Sequence, residues 1–176
     1  MVKEKSLKEQ KIILREYLGQ YYRAHEKKKV LQKRREALRY EMNMPISGMR
    51  YSAVPRSITN NIGEGAASIS YRIAEIDERI MEQTNDMSKA MLNIMDIMDF
   101  LAADSIEREI LEYRHIDCMS WKNVTERAHM VRSSCAAYYN RGLEKLLEYN
   151  WVIFKLEAYE KKKEESRQKE MEIKSN

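Results

Sequence analysis

The sequence predicts an all-α protein: a long helical coiled-coil hairpin followed by a module of three short helices. Three observations carry that expectation. Glycine (5) and proline (2) are scarce among 176 residues, while 34% of residues are charged, a composition that favours long helices over sheets and tight turns. Apolar residues recur at steps of three and four over long stretches, the period of one helix face. Both prolines and three of the five glycines fall in one segment, so the helix breakers sit between elements and not within them.

The same composition excludes several classes of function. Every apolar stretch is interrupted by charge, and no run of about 18 apolar residues is available to span a bilayer. The N-terminal MVKEKSLKEQ lacks an apolar core of the kind a secretory signal needs, so a cytoplasmic protein is expected. Cys118 and Cys135 form no CxxC pair, which suits a reducing compartment and offers no disulfide framework. His115, Cys118, His129 and Cys135 supply four ligand types for zinc, yet their spacing matches no finger signature. No metal and no cofactor are expected.

The net charge of +4 conceals a segregation. Residues 1–41 hold 13 Lys/Arg against 6 Asp/Glu, and residues 66–104 hold 3 against 8. Two helices packed along each other would use such opposition for register, although exposed pairs contribute only about 0 to 1 kcal/mol each.

In chain order, residues 1–42 read as a basic N-terminal helix, with Leu7, Leu14, Leu18, Tyr21, Leu31, Leu38 and Met42 on its apolar stripe. Its middle carries Lys27, Lys28, Lys29, Lys33, Arg34 and Arg35. A run of this kind is ordinarily a solvated face; phosphate contact or an acidic partner helix is the functional alternative. Residues 43–66, with Pro45, Pro55, Gly48, Gly63 and Gly65, read as a loop through which neither flanking helix continues. Residues 67–103 carry Ile69, Ile73, Ile76, Ile80, Met87, Met91, Ile94 and Met98 in alternating steps of four and three, with one gap at Gln83 or Thr84. This is a sustained heptad, so these side chains are expected at a coiled-coil seam. The facing helix is either the basic first helix or a second chain; a hairpin that also dimerises is expected.

Residues 104–150 read as three short helices. The first starts at Asp104, with Glu107 completing a capping box, and carries Ile106, Ile110, Leu111 and Tyr113. The second follows Ser120 as N-cap, with Trp121 and Val124 inward. After a turn over residues 128–131, the third runs from about Arg132 to Leu147 with Cys135, Tyr138, Gly142 and Leu146 buried. Residues 151–176 begin aromatic and then mix charges with no apolar face; this tail is expected to fray.

The run SIEREILEYRHIDCMSWKNVTERAHMVRSSCAAYYNRGLEKL over residues 105–146 resembles the signature of sigma-factor region four, in which L-x-Y-R is followed by a short apolar turn, S-W-x-x-[IV] and R-[AG]-L-x-K-L. Leu111, Tyr113, Arg114, Met119, Ser120, Trp121, Val124, Arg132, Arg141, Leu143, Lys145 and Leu146 fall at matching positions without a gap. Three positions depart from the pattern: His129 stands at a turn position that usually has Gly, Val131 at the usual Ser/Thr cap, and Thr125 at a usual small Ala. The order of coiled coil, Pro/Gly loop and C-terminal module resembles phage-encoded transcriptional regulators of the ArpU/RinA-like group.

That resemblance implies a helix-turn-helix that binds double-stranded DNA, with RNA polymerase as a further expected partner and a dimer formed through the coiled coil. On the third helix Arg132, Ser133, Ser134, Ala136, Ala137, Asn140 and Arg141 would face the major groove. Arg132 and Asn140 suit guanine and adenine edges, and the two serines suit a phosphate. Arg141, Lys122 and Arg127 suit contacts to the DNA backbone. Charges over residues 104–147 nearly balance, so affinity would draw on a dimer or on the basic first helix. No GxxxxGK[ST], HExxH or GxSxG motif points to catalysis, and no catalytic residue is expected. The competing expectation is a coiled-coil interaction or assembly module, docking on polymerase or acting as a small phage packaging subunit.

Overall fold

The computed structural model describes residues 6–43 and 59–175. All regular structure among them is helical: α1 Leu7–Leu18, α2 Gln20–Asn43, α3 Thr59–Met98, α4 Ile106–His115, α5 Trp121–Arg127, α6 Arg132–Leu147 and α7 Asn150–Ser175. The all-α expectation is met.

The chain divides into two compact units, one of residues 1–22 with 88–176 and the other of residues 23–87. In the first, α1 packs on α6 and α7, α4 packs on α5 and α6, and the last turns of α3 close the core. Leu14, Leu18, Ile94, Ile97, Met98, Ile110, Leu111, Val124, Leu143, Leu146 and Val152 are all fully buried there. Arg108 ties α4 to the end of α3: it donates to Asp99 Oδ1 at 2.9 Å, to the Leu101 carbonyl at 3.3 Å and to Glu112 Oε1 at 2.7 Å.

The described residues of the second unit belong to α2 and the N-terminal part of α3. Arg35 donates to Asp77 Oδ1 at 2.9 Å and Arg39 lies 4.0 Å from Oδ2 of the same carboxylate, so the expected opposition of basic and acidic helices is realised within one chain. Ile80 and Ala24 are buried. The seam residues Ile69, Ile73, Ile76 and Met87 are half-buried, whereas Ile94 and Met98, past the unit boundary, are buried in the first unit's core.

Four local readings change. The first helix is divided at Gly19, whose N–H closes on the Arg15 carbonyl at 3.0 Å, because the only glycine of that stretch removes helix propensity there. The expected loop over 43–66 gives way to helix at Thr59, since Gly63 and Gly65 each cost a helix only about 1 kcal/mol and no proline follows Pro55; residues 44–58 lie outside the described residues. The cap of α4 is Ser105, whose Oγ accepts from Arg108 N at 3.3 Å, one residue past Asp104.

The charged tail, expected to fray, is helix to Ser175. Val152 and Leu156 anchor its start in the core. Farther along, Tyr159 Oη donates to Glu16 Oε1 at 3.2 Å and Lys163 pairs with the same carboxylate on α1.

Candidate nucleic-acid interface

The three short helices α4, α5 and α6 are positioned by two turns that bend sharply. Between α4 and α5, Cys118 adopts φ 55°, and Arg114 Nη1 donates to the Met119 carbonyl at 2.5 Å, holding the turn from outside. Ser120 then caps α5 by accepting from Asn123 N at 3.3 Å, as the sequence predicts. Between α5 and α6, His129 adopts φ 51°. This is the left-handed region that favours glycine, and it falls at the turn position where the region-four pattern has Gly. α6 starts at Arg132 behind Val131, whose side chain gives no cap hydrogen bond.

Close packing fixes α6 against α4. A Cβ on Gly142 would meet Leu111 Cδ1 at 2.7 Å and Glu107 Cβ at 3.2 Å, so any other residue would force Leu111 to shift. Glu107 is itself buried. Its carboxylate accepts from Lys145 Nζ at 2.8 Å and lies 3.8 Å from Arg141 Nη1. The hydrogen bond from Lys145 holds its pKa below the usual carboxylate value, against the opposing effect of burial.

The buried stripe of α6 is Cys135, Tyr139, Gly142, Leu143, Leu146 and Leu147. Tyr139, not Tyr138, enters the core: four residues on from Cys135, it continues the stripe at helical spacing. Tyr138 is half-buried and lies beneath the Arg141 guanidinium, 5.2 Å from ring centroid to Cζ.

This packing sorts the expected DNA-contacting residues. Arg132, Ser133, Ala137 and Arg141 are exposed. Ser133, Ala137 and Arg141, at steps of four, share one face of α6, while Arg132 stands apart from that face at the first position of the helix, with half-buried Ser134 at the same end. Arg132 has no ion-pair or hydrogen-bond partner among the described residues. Lys122 and Arg127 are exposed on α5; Lys122 lies 3.9 Å from Glu126, and Arg127 Cζ sits 5.0 Å from the Tyr113 ring centroid.

Ala136 and Asn140 belong elsewhere. They line a cleft of about 450 Å³ beside α1, where Arg15 donates to Asn140 Oδ1 at 2.6 Å; outside that lining, Lys11 donates to Glu144 Oε1 at 2.5 Å. Sequence reasoning missed Arg15 and Lys11. Their i, i+4 spacing on a basic helix was visible, but their partners lie over a hundred residues away.

His115 forms the floor of that cleft. It is hydrogen-bonded to the Leu18 backbone and sits 3.0 Å from the Tyr139 hydroxyl, and burial, aided by the nearby Arg114 and Arg15 charges, pulls its pKa down to about 4. Cys135 is buried in α6, and no group of three or more potential metal ligands occurs among the described residues. No helix among them is long and apolar enough to cross a membrane.

No protein-family model, curated protein or solved structure matches this chain.

Proposed function

We propose that the chain is a sequence-specific DNA-binding transcriptional regulator in which α5 and α6 act as a helix-turn-helix and α6 enters the major groove. The observation that carries this reading is the exposed stripe Ser133, Ala137 and Arg141, with Arg132 exposed at the helix start, on a helix whose opposite stripe is packed. A helix supported on one face and exposed on the other is what groove insertion requires.

The roles divide by position. Arg132, in the first turn and without a competing carboxylate, reads a guanine edge; Ser133 at the helix start takes a phosphate. Arg141, Lys122 and Arg127 contact the DNA backbone and fix register. Asn140 is not free for adenine, because Arg15 occupies its carbonyl oxygen. The basic run of α2 adds attraction for DNA without reading sequence, and a dimer would double the weak contribution of a nearly neutral module.

The test is salt-dependent binding of the full chain to its own upstream DNA and to scrambled DNA. A preference of about 10³ or more for the upstream DNA, abolished in Arg132→Ala, is expected. Arg141→Ala should weaken both DNAs alike and lower the salt slope by about one contact. Equal, weak binding to both DNAs that ignores Arg132→Ala would overturn the reading in favour of a protein-interaction module. The exposed aromatics Tyr149, Trp151 and Phe154 at the start of α7 supply a surface for that alternative.

A further inference from the structure

The cleft between α1, α4 and α6 is unusual in its lining. Two arginines, Arg15 and Arg114, meet three aromatic side chains, Tyr22, Trp121 and Tyr139, with the Asn140 amide between them, and no carboxylate lines the cavity. Neither arginine has an acidic partner within 4 Å among the described residues; the contacts that hold them are neutral. Arg15 donates to Asn140, and its Cζ lies 5.7 Å from the Tyr139 centroid. Arg114 donates to the Met119 carbonyl, and its Cζ lies 5.6 Å from the Trp121 centroid. The Trp121 and Tyr139 rings meet edge to face at 5.3 Å. Two preorganised guanidiniums therefore stand over aromatic faces without a counter-charge.

From this geometry we infer that the cleft is a binding site for a small aromatic phosphate of the mononucleotide class. Its phosphate would sit against Arg15 and Arg114, and its base would lie against the exposed Tyr22 ring, since the guanidiniums cover Tyr139 and Trp121. The chemistry selects that class step by step. Guanidinium forks match the oxygens of a phosphate and hold two negative charges better than one. Aromatic walls stack a flat ring, and base–aromatic stacking contributes about 1 to 3 kcal/mol. A cleft of about 450 Å³ falls within the range of small-molecule sites. The Asn140 Nδ2 offers a donor to the edge of a base, while the Tyr139 hydroxyl is taken by His115. This site lies off the exposed stripe of α6, and it stands whether or not α6 binds DNA.

Isothermal titration of the DNA-free full chain with AMP, GMP, adenosine and inorganic phosphate tests the inference. At least one nucleotide should bind one-to-one with Kd of about 10–100 μM, which corresponds to roughly −7 to −5 kcal/mol. Adenosine and inorganic phosphate should each bind at least tenfold more weakly, because each holds half of the recognised groups. Arg15→Gln, a change at an exposed position, should weaken the nucleotide at least tenfold while the circular-dichroism spectrum and Tm stay unchanged. Ala136→Phe should block the cleft from α6 with both arginines intact. Absence of nucleotide binding at millimolar concentration would overturn the inference. So would phosphate binding as tight as nucleotide, or nucleotide binding indifferent to both variants.

Discussion

The two units differ in how they hold themselves together. In the first, eleven aliphatic side chains from α1, α3, α4, α5, α6 and α7 are fully buried in one core, whereas among the described residues of the second Ile80 and Ala24 are the apolar residues that reach burial and the seam residues Ile69, Ile73 and Ile76 stay half-exposed. Each buried aliphatic side chain removes water from about the same apolar area, worth roughly 1.5 to 3 kcal/mol. The first unit is therefore held by packing, while the described parts of α2 and α3 in the second bury little apolar surface and are marked by the Arg35–Asp77 ion pair. A heptad on a helix whose one partner leaves it half-covered is the pattern of a seam that a further helix can complete.

The sharpest way to break that contrast is to delete matched methyl groups from each side. Leu111→Ala, in the core between α4 and α6, should cost about 3 to 5 kcal/mol, while Ile76→Ala in the second unit should cost about 1 kcal/mol in a monomer. Chemical denaturation at two protein concentrations checks both. If the seam is completed by a second copy of the chain, the Ile76→Ala cost will grow with concentration and the Leu111→Ala cost will not. A cost for Ile76→Ala as large as that for Leu111→Ala at low concentration would show that the second unit carries a core of its own.

Acid distinguishes the units next. His115 in the first unit is neutral when folded, with its pKa pulled to about 4 from the ordinary 6.5 chiefly by burial. The unfolded chain takes up this proton first as pH falls, so the unfolded state binds more protons between the two values and stability drops with pH across that window. The full drop is roughly 3 kcal/mol between pH 6.5 and 4. Glu107, whose pKa is lowered by Lys145, adds stability above its unfolded value and gives it up only as pH falls through its lower folded value, so pH 6.5 to 4.5 isolates the histidine. Thermal unfolding of His115→Gln should be nearly flat across that interval while the natural chain loses stability. An equal slope in both would assign the acid sensitivity elsewhere.

A smaller effect tests the close approach of α4 and α6. Gly142→Ala improves helix propensity by about 1 kcal/mol but places a methyl 2.7 Å from Leu111 Cδ1 and 3.2 Å from Glu107 Cβ. Overpacking of this kind costs typically 1 to 3 kcal/mol, so a net loss of about 1 kcal/mol in denaturant midpoint is expected. A net gain would mean that Leu111 can change rotamer without loss.

What could be read from the sequence follows the same division between local and long-range. The boundaries of α5 and α6 were legible to the residue, because Ser120 and the 128–131 turn are local signals. The stripe of α6 was legible at Cys135, Gly142 and Leu146 but not at its adjacent tyrosines, where a difference of one position is about 100° around the helix, nor at Leu143 and Leu147, which widen it. The heptad marked α3 correctly as one face, but period alone does not say which element meets that face, so Ile94 and Met98 were assigned to the same seam as Ile69 although they pack in another core. The seat of α1 on α6 and α7 was not legible. Lys11, Arg15 and Glu16 find partners at Glu144, Asn140 and Lys163, and charged residues on a helix carry no mark of where they will dock. The tail was misread for a related reason: its helix depends on Val152 and Leu156 being buried by elements far away in sequence.

The smallest expected effect lies at His129, where local and global demands disagree. Its φ of 51° places a branched ring in the left-handed region, which costs a non-glycine residue about 1 to 2 kcal/mol. The turn nonetheless holds, because α5 and α6 are both anchored: Val124 is buried on one side, Cys135 and Tyr139 on the other, and the Met130 N–H closes on the Thr125 carbonyl at 3.1 Å. Glycine would relieve the steric cost while adding freedom to the unfolded chain, an opposing effect of about 0.4 to 1 kcal/mol. His129→Gly should therefore stabilise the first unit by about 0.5 to 1 kcal/mol, and His129→Ala by nothing, since alanine keeps the Cβ that the turn disfavours. If alanine stabilises as much as glycine, the cost at this position belongs to the imidazole and not to the backbone. If both destabilise, the exposed histidine makes a contact that its turn geometry alone does not account for.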